Sequence, residues 1–469
     1  MKKSKQQNKE VKIISLPISK LIDTKFRDYA VYVLESRGIP SFYDALTPVQ
    51  RYILKNTPTN FINTLSVVGE SIKDGYHHGD MSLGKAISRL ARPFGSSLQI
   101  LEGYGFFGTE VEPTAAAARY TRIKLSKRTN EIINEYNYLT SRNEDGAYDP
   151  LWTDVPLGLT TSIVGIAVGY KTTILPRKLI DIQNFLSGKI KELRPYFTGF
   201  SGGIRKYKDL DNSWIISARI NLVGGNRLEI RELPPIMKYT SALRRLDTIF
   251  SEFEGNIRIL NNSDKKLNID IIYRGKDEKE WLQIQERIKK AFSIIVKETP
   301  VFIKDDEVLV YNTVEEYLKD YKWQLKRLAY QNSKWERNYI SGELEFNIVK
   351  RDFIRFILLK QRTVEEIDEF LKPYNSIIKN RIERLTSKKF TKDELSLTLE
   401  KIQELTAELK KKERELKRNK QIFERAKDPT TKRGIRSKRS RGNLFEEELE
   451  QINGIQIWDG EDINEEDNE

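Results

Sequence analysis

Gly75-Tyr76-His77-His78-Gly79-Asp80-Met81-Ser82-Leu83-Gly84-Lys85-Ala86-Ile87-Ser88-Arg89-Leu90-Ala91-Arg92-Pro93 is the stretch whose reading decides the fold. Asp80 has the side chain of an N-cap, Leu83, Ala86, Ile87 and Leu90 fall on one helical stripe, and Pro93 stops the helix. Lys85, Arg89 and Arg92, at i, i+4 and i+7, then share the opposite face. A second helical pattern runs from residue 60 to 73 and is joined to the first by a glycine-containing turn, so the pair reads as a helix-turn-helix with a basic recognition face. A solvated surface stripe is the plain alternative.

The whole chain has 469 residues, enough for about three domains at roughly 100–200 residues each. Apolar residues make up 38% and charged residues 32%, and no apolar run approaches the ~20 residues that span a bilayer, which excludes a membrane protein of the helical kind. There is no cysteine, which excludes disulfides, thiol catalysis and Cys-ligated zinc. The two histidines are the adjacent His77 and His78, so imidazole chemistry has one place to occur. The net charge of +13 is unevenly spread: eleven acidic residues and no Lys or Arg follow Arg441, which leaves +24 on the first 441 residues. A body so charged suits a polyanion, because neutralising phosphates releases counterions; a soluble charge-rich surface is the other reading.

Five segments are expected. Residues 1–25 form a flexible basic arm with no apolar core of a signal peptide. Residues 26–150 are mixed and carry the helix-turn-helix. Residues 151–312 are richer in strand patterns, such as 213–223, 267–273 and the glycine-punctuated 163–170, with helical patterns between, and read as α/β. Residues 313–427 are helical: a long first helix to about Leu371, a connection holding Pro373 and Tyr374, and a second helix opened by Thr391 and Glu394 as a capping box. In that second helix Leu395, Ile402, Leu409, Leu416 and Phe423 recur every seventh residue, while the intervening Leu399, Thr406, Glu413 and Lys420 turn polar. One seam fades, so an antiparallel intramolecular arm fits better than a parallel coil. Residues 428–469, basic and then acidic, are expected to be a disordered tail.

Two glycine motifs tempt toward nucleotide binding. Gly103-x-Gly105-x-x-Gly108 has the dinucleotide spacing, but Pro113 follows where a helix must open, and Lys127-Arg128 stand where the ribose-binding acid belongs. Gly79-x-x-x-x-Gly84-Lys85 is a P-loop whose Mg²⁺-holding hydroxyl is replaced by Ala86. An oxidoreductase or an ATPase would rest on these two loops alone. The remaining chemical candidate is Tyr120 in Ala115-Ala-Ala-Ala-Arg119-Tyr120-Thr-Arg122. A phenol with a reference pKa near 10 needs cationic neighbours to act as a nucleophile, and Arg119 supplies one; His78 adds a donor or base if the fold brings it close. An Ala-rich turn with a surface tyrosine is the bland reading of the same residues.

Taken in order, Gly75-Tyr-His-His-Gly-Asp80, Gly103-x-Gly-x-x-Gly108 and Ala116-Ala-Ala-Arg-Tyr120 resemble the breakage-reunion region of type IIA DNA topoisomerases. Arg37-Gly-Ile-Pro40 with Asp44-Ala-Leu-Thr-Pro-Val-Gln-Arg51, Gly165-Ile-Ala-Val-Gly169 with Pro176, and Glu232-Leu-Pro234 extend the resemblance to roughly residues 30–425. The paired histidines, Pro195-Tyr-Phe-Thr-Gly-Phe200 and Phe390-Thr-Lys-Asp-Glu394 look nearer to eukaryotic and T-even phage enzymes than to bacterial gyrase.

The resemblance implies an α+β multidomain fold: a winged-helix cleavage domain, an α/β tower domain, and a long antiparallel coiled-coil arm ending in a dimerising exit gate. It implies that Tyr120 attacks a DNA phosphodiester and joins the 5′ phosphate, that Arg119 is the transition-state arginine, and that His78 is the active-site histidine, with His77 beside it. Ile166 maps to the residue that wedges between base pairs, and Lys85, Arg89, Arg92 and Arg51 would track the duplex through its phosphates. Thr47 and Gln50 depart from the Lys and the bacterial His usual in the entry segment. The implied partners are double-stranded DNA, a second copy of this chain, and a separate subunit that brings the ATPase and the Mg²⁺ site, in the cytoplasm of a phage-infected bacterium and with no membrane. A non-catalytic DNA-binding scaffold is the alternative from a different class.

Overall fold

The computed structural model describes residues 26 and 33 and then 38–140, 149–253, 255–305, 307–359, 362–386 and 390–430. Arg37, the basic N-terminal arm, and the basic cluster and acidic tail beyond residue 430 lie outside the described residues. Among the described residues, no helix is long and apolar enough to cross a membrane.

The first elements are α1 (Pro48–Asn56), β1 (Ile62–Asn63), α2 (Thr64–Lys73), α3 (Asp80–Ala91), β2 (Leu101–Tyr104) and β3 (Arg122–Leu125), with α4 (Lys127–Glu135) after them. α1 starts where Pro48 needs no N–H partner and where the Gln50 side chain accepts from the Thr47 N–H at 2.9 Å. The three helices bury Ile53, Val67, Leu83, Ile87 and Leu90 against one another and against an antiparallel sheet in the order β1-β3-β2. α3 begins one residue earlier than its sequence suggests. Gly79 is the N-cap, and Asp80 stands in the first turn, where a carboxylate still complements the helix dipole.

The hairpin β4 (Ile163–Ala167) and β5 (Tyr170–Ile174) turns at Gly169, whose φ is +79°, and α5 (Leu179–Leu186) follows. Gly165 lies so close to the entry segment that a Cβ would fall 1.7 Å from the Gly38 carbonyl oxygen, which only glycine permits. The first core continues past residue 150 into Leu151, Leu157, Leu159, Ile174 and Ile182, and is completed by Phe302, Tyr317 and Tyr321.

A second core lies among β6 (Gly203–Lys206), β7 (Ser213–Ser217), β8 (Arg219–Val223), β9 (Arg227–Glu232), α6 (Tyr239–Glu252), β10 (Ile257–Asn261), β11 (Ile269–Tyr273), α7 (Glu278–Ala291) and β12 (Ser293–Lys297). Its strands form two antiparallel sheets, β12-β7-β6 and β10-β11-β9-β8. Residues 213–223 therefore make two strands rather than one. The Ala218 N–H bonds to the Phe292 carbonyl at 2.8 Å, and there the chain leaves one sheet for the other. The two cores are joined by a buried ion pair. Glu298 accepts from the two terminal guanidinium nitrogens of Arg177 at 3.0 and 2.6 Å, from the Leu175 N–H and from Trp214 Nε1, so each carboxylate oxygen is satisfied.

After the hairpin β13 (Val301–Lys304) and β14 (Glu307–Val310), α8 (Val314–Leu359) runs for 46 residues. α9 (Val364–Leu371) and α10 (Ser376–Glu383) make the connection, and α11 (Lys392–Arg425) returns. The expected first helix thus breaks before Thr363, which caps α9 in a full capping box with Glu366. α8 and α11 are antiparallel: Trp323 meets Phe423, Ser333 bonds to Asn419 at 2.6 Å, and Glu336 to Lys412 at 2.6 Å. The second seam of α11 is Thr398, Leu405, Lys412 and Asn419. Its first two members are buried and its last two are hydrogen-bonded across, whereas Glu413 and Lys420 are exposed. Thr391 caps α11, its Oγ1 accepting from the Glu394 N–H at 3.3 Å.

The first residues assigned to the tail are anchored. Thr430 is 3% exposed, the Lys304 ammonium donates to it at 2.8 Å and to Asp428, and Trp323 Nε1 donates to the Ala426 carbonyl.

Candidate active site

The site is built on the N-terminal end of α2. Asn63 ends β1 and caps α2, its Oδ1 accepting from the Leu65 N–H at 2.9 Å. Its Nδ2 donates to the Arg119 carbonyl at 3.0 Å. Thr64, the next residue, donates its N–H to the Thr121 carbonyl at 3.0 Å and accepts a 2.8 Å bond from the Thr121 hydroxyl. Between these anchors the 3-10 turn Ala118–Tyr120 presents Tyr120, which is 67% exposed. The Arg119 guanidinium lies over the Tyr120 ring, with Cζ 4.6 Å from its centroid. A cation thus sits beside a solvent-facing phenol on a backbone fixed at both flanks.

The glycines of the dinucleotide-like motif have a different purpose here. A Cβ on Gly103 would strike the Phe107 ring at 2.4 Å; Gly105 has φ +114° and packs on Thr121 and the Tyr120 carbonyl; Gly108 has φ +90° beside the Pro113 carbonyl. The motif is a turn that folds back under the Tyr120 segment, and the Ala116 N–H closes it on the Phe106 carbonyl at 3.0 Å.

Lys85 and Arg89 are exposed on α3. Arg92 is not on that face. As the C-cap of α3 it turns toward the loop before Tyr120, where Nη2 donates to the Pro113 carbonyl and the guanidinium approaches Phe94. Arg51 is a correction to the sequence reading. It is 8% exposed, with Nε on the Asp44 carboxylate at 2.8 Å and Nη2 on the Leu46 carbonyl, because Asp44 also holds the Leu46 and Leu151 N–H groups inside the core. The bidentate reach that suits a phosphate is spent inside the protein, and Arg51 leaves the set of DNA-tracking cations.

His77 is exposed and His78 half-buried, its ring edge-on to Tyr76 at 5.2 Å. Both follow the C-terminal end of α2, whereas Tyr120 sits at the N-terminal end, so a helix of about 15 Å separates them in one chain. Ile166, near the turn of the β4–β5 hairpin, is 46% exposed, although its backbone is held against Gly38.

Electrostatically the surroundings are cationic, with Arg122 and Lys124 on β3 beside Arg119. The loop before Tyr120 carries two shifted acids: burial, and then the charge of Glu232, push the Glu110 carboxyl above its ordinary range, while hydrogen bonds from Thr114 hold Glu112 below it. Among the described residues no group of three or more His, Asp or Glu could hold a metal ion.

Sequence reasoning missed Asn63, Thr64 and Thr121. The available signal was an Asn-Thr pair at the start of a helical period; nothing in the sequence showed what would be tied to it.

A family model for the A subunit of DNA gyrase/topoisomerase IV matches residues 37–431. The medium subunit of the DNA topoisomerase of Enterobacteria phage T4 is 24% identical over 384 residues, covering 76% of this chain and 85% of that protein. DNA topoisomerase 2 of Saccharomyces cerevisiae is 26% identical over 391 residues, 76% of this chain but 26% of that one. The DNA gyrase A protein of Leptospira biflexa is 25% identical over 430 residues, 80% of this chain and 51% of that one. The chain therefore spans most of the phage protein, but about half or less of the cellular relatives. In fold it is similar to the DNA-binding, cleavage and re-ligation domain of Plasmodium falciparum topoisomerase II, with a TM-score of 0.67 at 22% identity, covering 89% of this chain and 64% of that one. With a family match over most of its length, the chain belongs to the family formed by the A subunits of DNA gyrase and topoisomerase IV.

Proposed function

We propose that this chain is the DNA-cleaving and religating subunit of an ATP-dependent type II DNA topoisomerase, with Tyr120 as its nucleophile. Membership of the gyrase/topoisomerase IV family carries the breakage-reunion role. The observation that supports the residue assignment is the exposed Tyr120 ring under the Arg119 guanidinium on a doubly anchored turn. Tyr120 Oη attacks the phosphorus of a backbone phosphodiester. The Oη–P bond forms as the P–O3′ bond breaks, the phenolic proton leaves, and the 3′ oxygen takes up a proton. One phosphate ester replaces another, so the reverse attack by the 3′ hydroxyl reseals the strand without an energy source. Arg119 stabilises the charge on the non-bridging oxygens.

Lys85 and Arg89 would grip phosphates of the same duplex, with His77 and His78 further along it, and Ile166 would wedge between base pairs where the hairpin tip meets the DNA. Arg92 would act by holding the loop before Tyr120. Mg²⁺ and ATP are assigned to a separate subunit.

In family terms, α1–α3 with the β1-β3-β2 sheet would be the winged helix, the second core the tower, and α8 to α11 the coiled-coil arm. The expected segments are 26–150, 151–312 and 313–427, with 1–25 and 428–469 as termini; the middle one is shared, since Leu151 to Ile174 and Phe302 pack in the first core and the second core runs from Leu175 to Val296. Two copies are needed to cut both strands. The arm's far end suits such a contact, because Leu359, Val364 and Ile377 are each at least 70% exposed there. The setting would be the cytoplasm of a phage-infected bacterium.

The test is Tyr120→Phe in the complete holoenzyme with Mg²⁺ and plasmid DNA. Quenching in detergent should trap covalent protein–DNA adduct with the wild type and none with the variant, while DNA binding stays within a factor of two. Adduct from Tyr120→Phe, or a wild type that holds DNA and never joins it, leaves the scaffold reading standing instead.

A further inference from the structure

The Tyr120 side chain is 67% exposed, so packing cannot fix where its hydroxyl points. Position must come from the backbone on either side. Four ties hold that backbone to the start of α2, and all four lead to the same two residues. Asn63 Nδ2 donates to the Arg119 carbonyl; the Thr64 N–H donates to the Thr121 carbonyl; the Thr121 hydroxyl donates to the Thr64 hydroxyl; and Asn63 faces Arg122 in the β1–β3 register.

We propose that Asn63 and Thr64 are positioning residues that set the attack geometry of Tyr120, a role separate from their part in starting α2. The proposal rests on Tyr120 being the nucleophile.

The geometry separates the two roles at Asn63. Its Oδ1 caps the helix, and its Nδ2 clamps Arg119. Serine is as good an N-cap as asparagine but has no amide to reach the Arg119 carbonyl, and aspartate caps equally well with no hydrogen to donate. At Thr64 the hydroxyl meets Thr121 where both residues are 1% exposed, so water cannot substitute for the bond. Displacing a reacting group by about 1 Å can cost on the order of a hundredfold in rate.

The test compares Asn63→Ser, Asn63→Asp, Thr64→Val and Thr64→Ser with wild type and Tyr120→Phe, all as holoenzyme with Mg²⁺ and a supercoiled plasmid. Four quantities are read: the single-turnover rate of covalent adduct formation, the religation rate after salt or chelator is added, DNA affinity, and the thermal midpoint. Asn63→Ser and Asn63→Asp should slow cleavage and religation together, by roughly ten- to a hundredfold, with midpoint and affinity unchanged. Thr64→Val should slow both steps, and Thr64→Ser, which keeps the hydroxyl, should restore them. Wild-type rates in both Asn63 variants, or equal rates in Thr64→Val and Thr64→Ser, would overturn the clamp while Tyr120→Phe still abolished the adduct. Adduct from Tyr120→Phe itself would overturn the nucleophile assignment and the clamp with it.

Discussion

The guanidinium of Arg119 lies over the ring of Tyr120, 4.6 Å from its centroid, although the two are sequence neighbours whose side chains would point apart in a strand. The 3-10 turn makes the difference, because at three residues per turn it sets neighbouring side chains about 120° apart, where a long arginine can reach back over the next ring. Arg119→Ala should therefore lower the rate of covalent adduct formation by about 10²–10³-fold, measured by detergent quench in a single turnover, with the thermal midpoint unchanged. Arg119→Lys should recover part of that rate, since it keeps the charge but loses the planar fork.

Arg51 and Lys85 should behave in opposite ways. Removing Arg51 leaves the buried Asp44 carboxylate short of its counter-ion, so Arg51→Ala should destabilise the chain by about 3–5 kcal/mol in denaturant unfolding. Lys85→Ala or Arg89→Ala should leave stability alone and reduce the slope of log affinity against log salt by about one. A large midpoint loss from Lys85→Ala, or a changed salt slope in a still-folded Arg51 variant, would reverse these placements.

Glu298 holds Leu175 and Trp214 of the second core and also Arg177, whose backbone N–H bonds to the Leu159 carbonyl of the first. Glu298→Gln keeps the shape and removes the charge, leaving Arg177 buried without its counter-ion at 1% exposure. Unfolding should become easier by about 3–5 kcal/mol, and calorimetry would register it as a lower midpoint.

Asp428 fastens the returning end of the arm to Lys304. Burial alone would raise its carboxyl pKa, but hydrogen bonds from Lys304 and Thr430 outweigh it and hold the group below the ordinary carboxylate range. A folded pKa below the unfolded one adds stability above the unfolded value and loses it as pH falls through the folded value. Amide protection at residues 426–430, taken relative to the intrinsic exchange rate at each pH, should thus be high at neutral pH and fall only in acid, below the usual carboxylate titration. Asp428→Asn should abolish that acid dependence and give faster exchange at neutral pH.

Much of this was legible in the sequence where the deciding contacts are local. Leu83, Ile87 and Leu90 marked the buried face of α3 through their spacing, and the antiparallel arm followed from a fading heptad. What could not be read depended on residues far apart in the chain. Arg51 looked like a surface cation because its partners are Asp44, seven residues away, and the core that Asp44 organises around Leu151. Arg92 fitted the α3 stripe by count, but the helix ends at Ala91, which frees its side chain to reach Pro113. The break before α9 was signalled by Thr363 and Glu366 and was hidden by an apolar period that continues through it. The seam in α11 falls at Thr398, Leu405, Lys412 and Asn419 because polar residues there bond across to α8, which a search for apolar residues passes over.

The central claim is that this chain breaks DNA through one tyrosine. Detergent-trapped adduct from the wild-type holoenzyme, digested with nuclease and protease and sequenced by mass spectrometry, tests it most directly. The account predicts a single modified peptide containing Tyr120, its phenol esterified to the 5′ phosphate of a nucleotide, with free 3′ hydroxyls on the opposing ends. A nucleotide on any other residue, or a tyrosine joined to a 3′ phosphate, would contradict it.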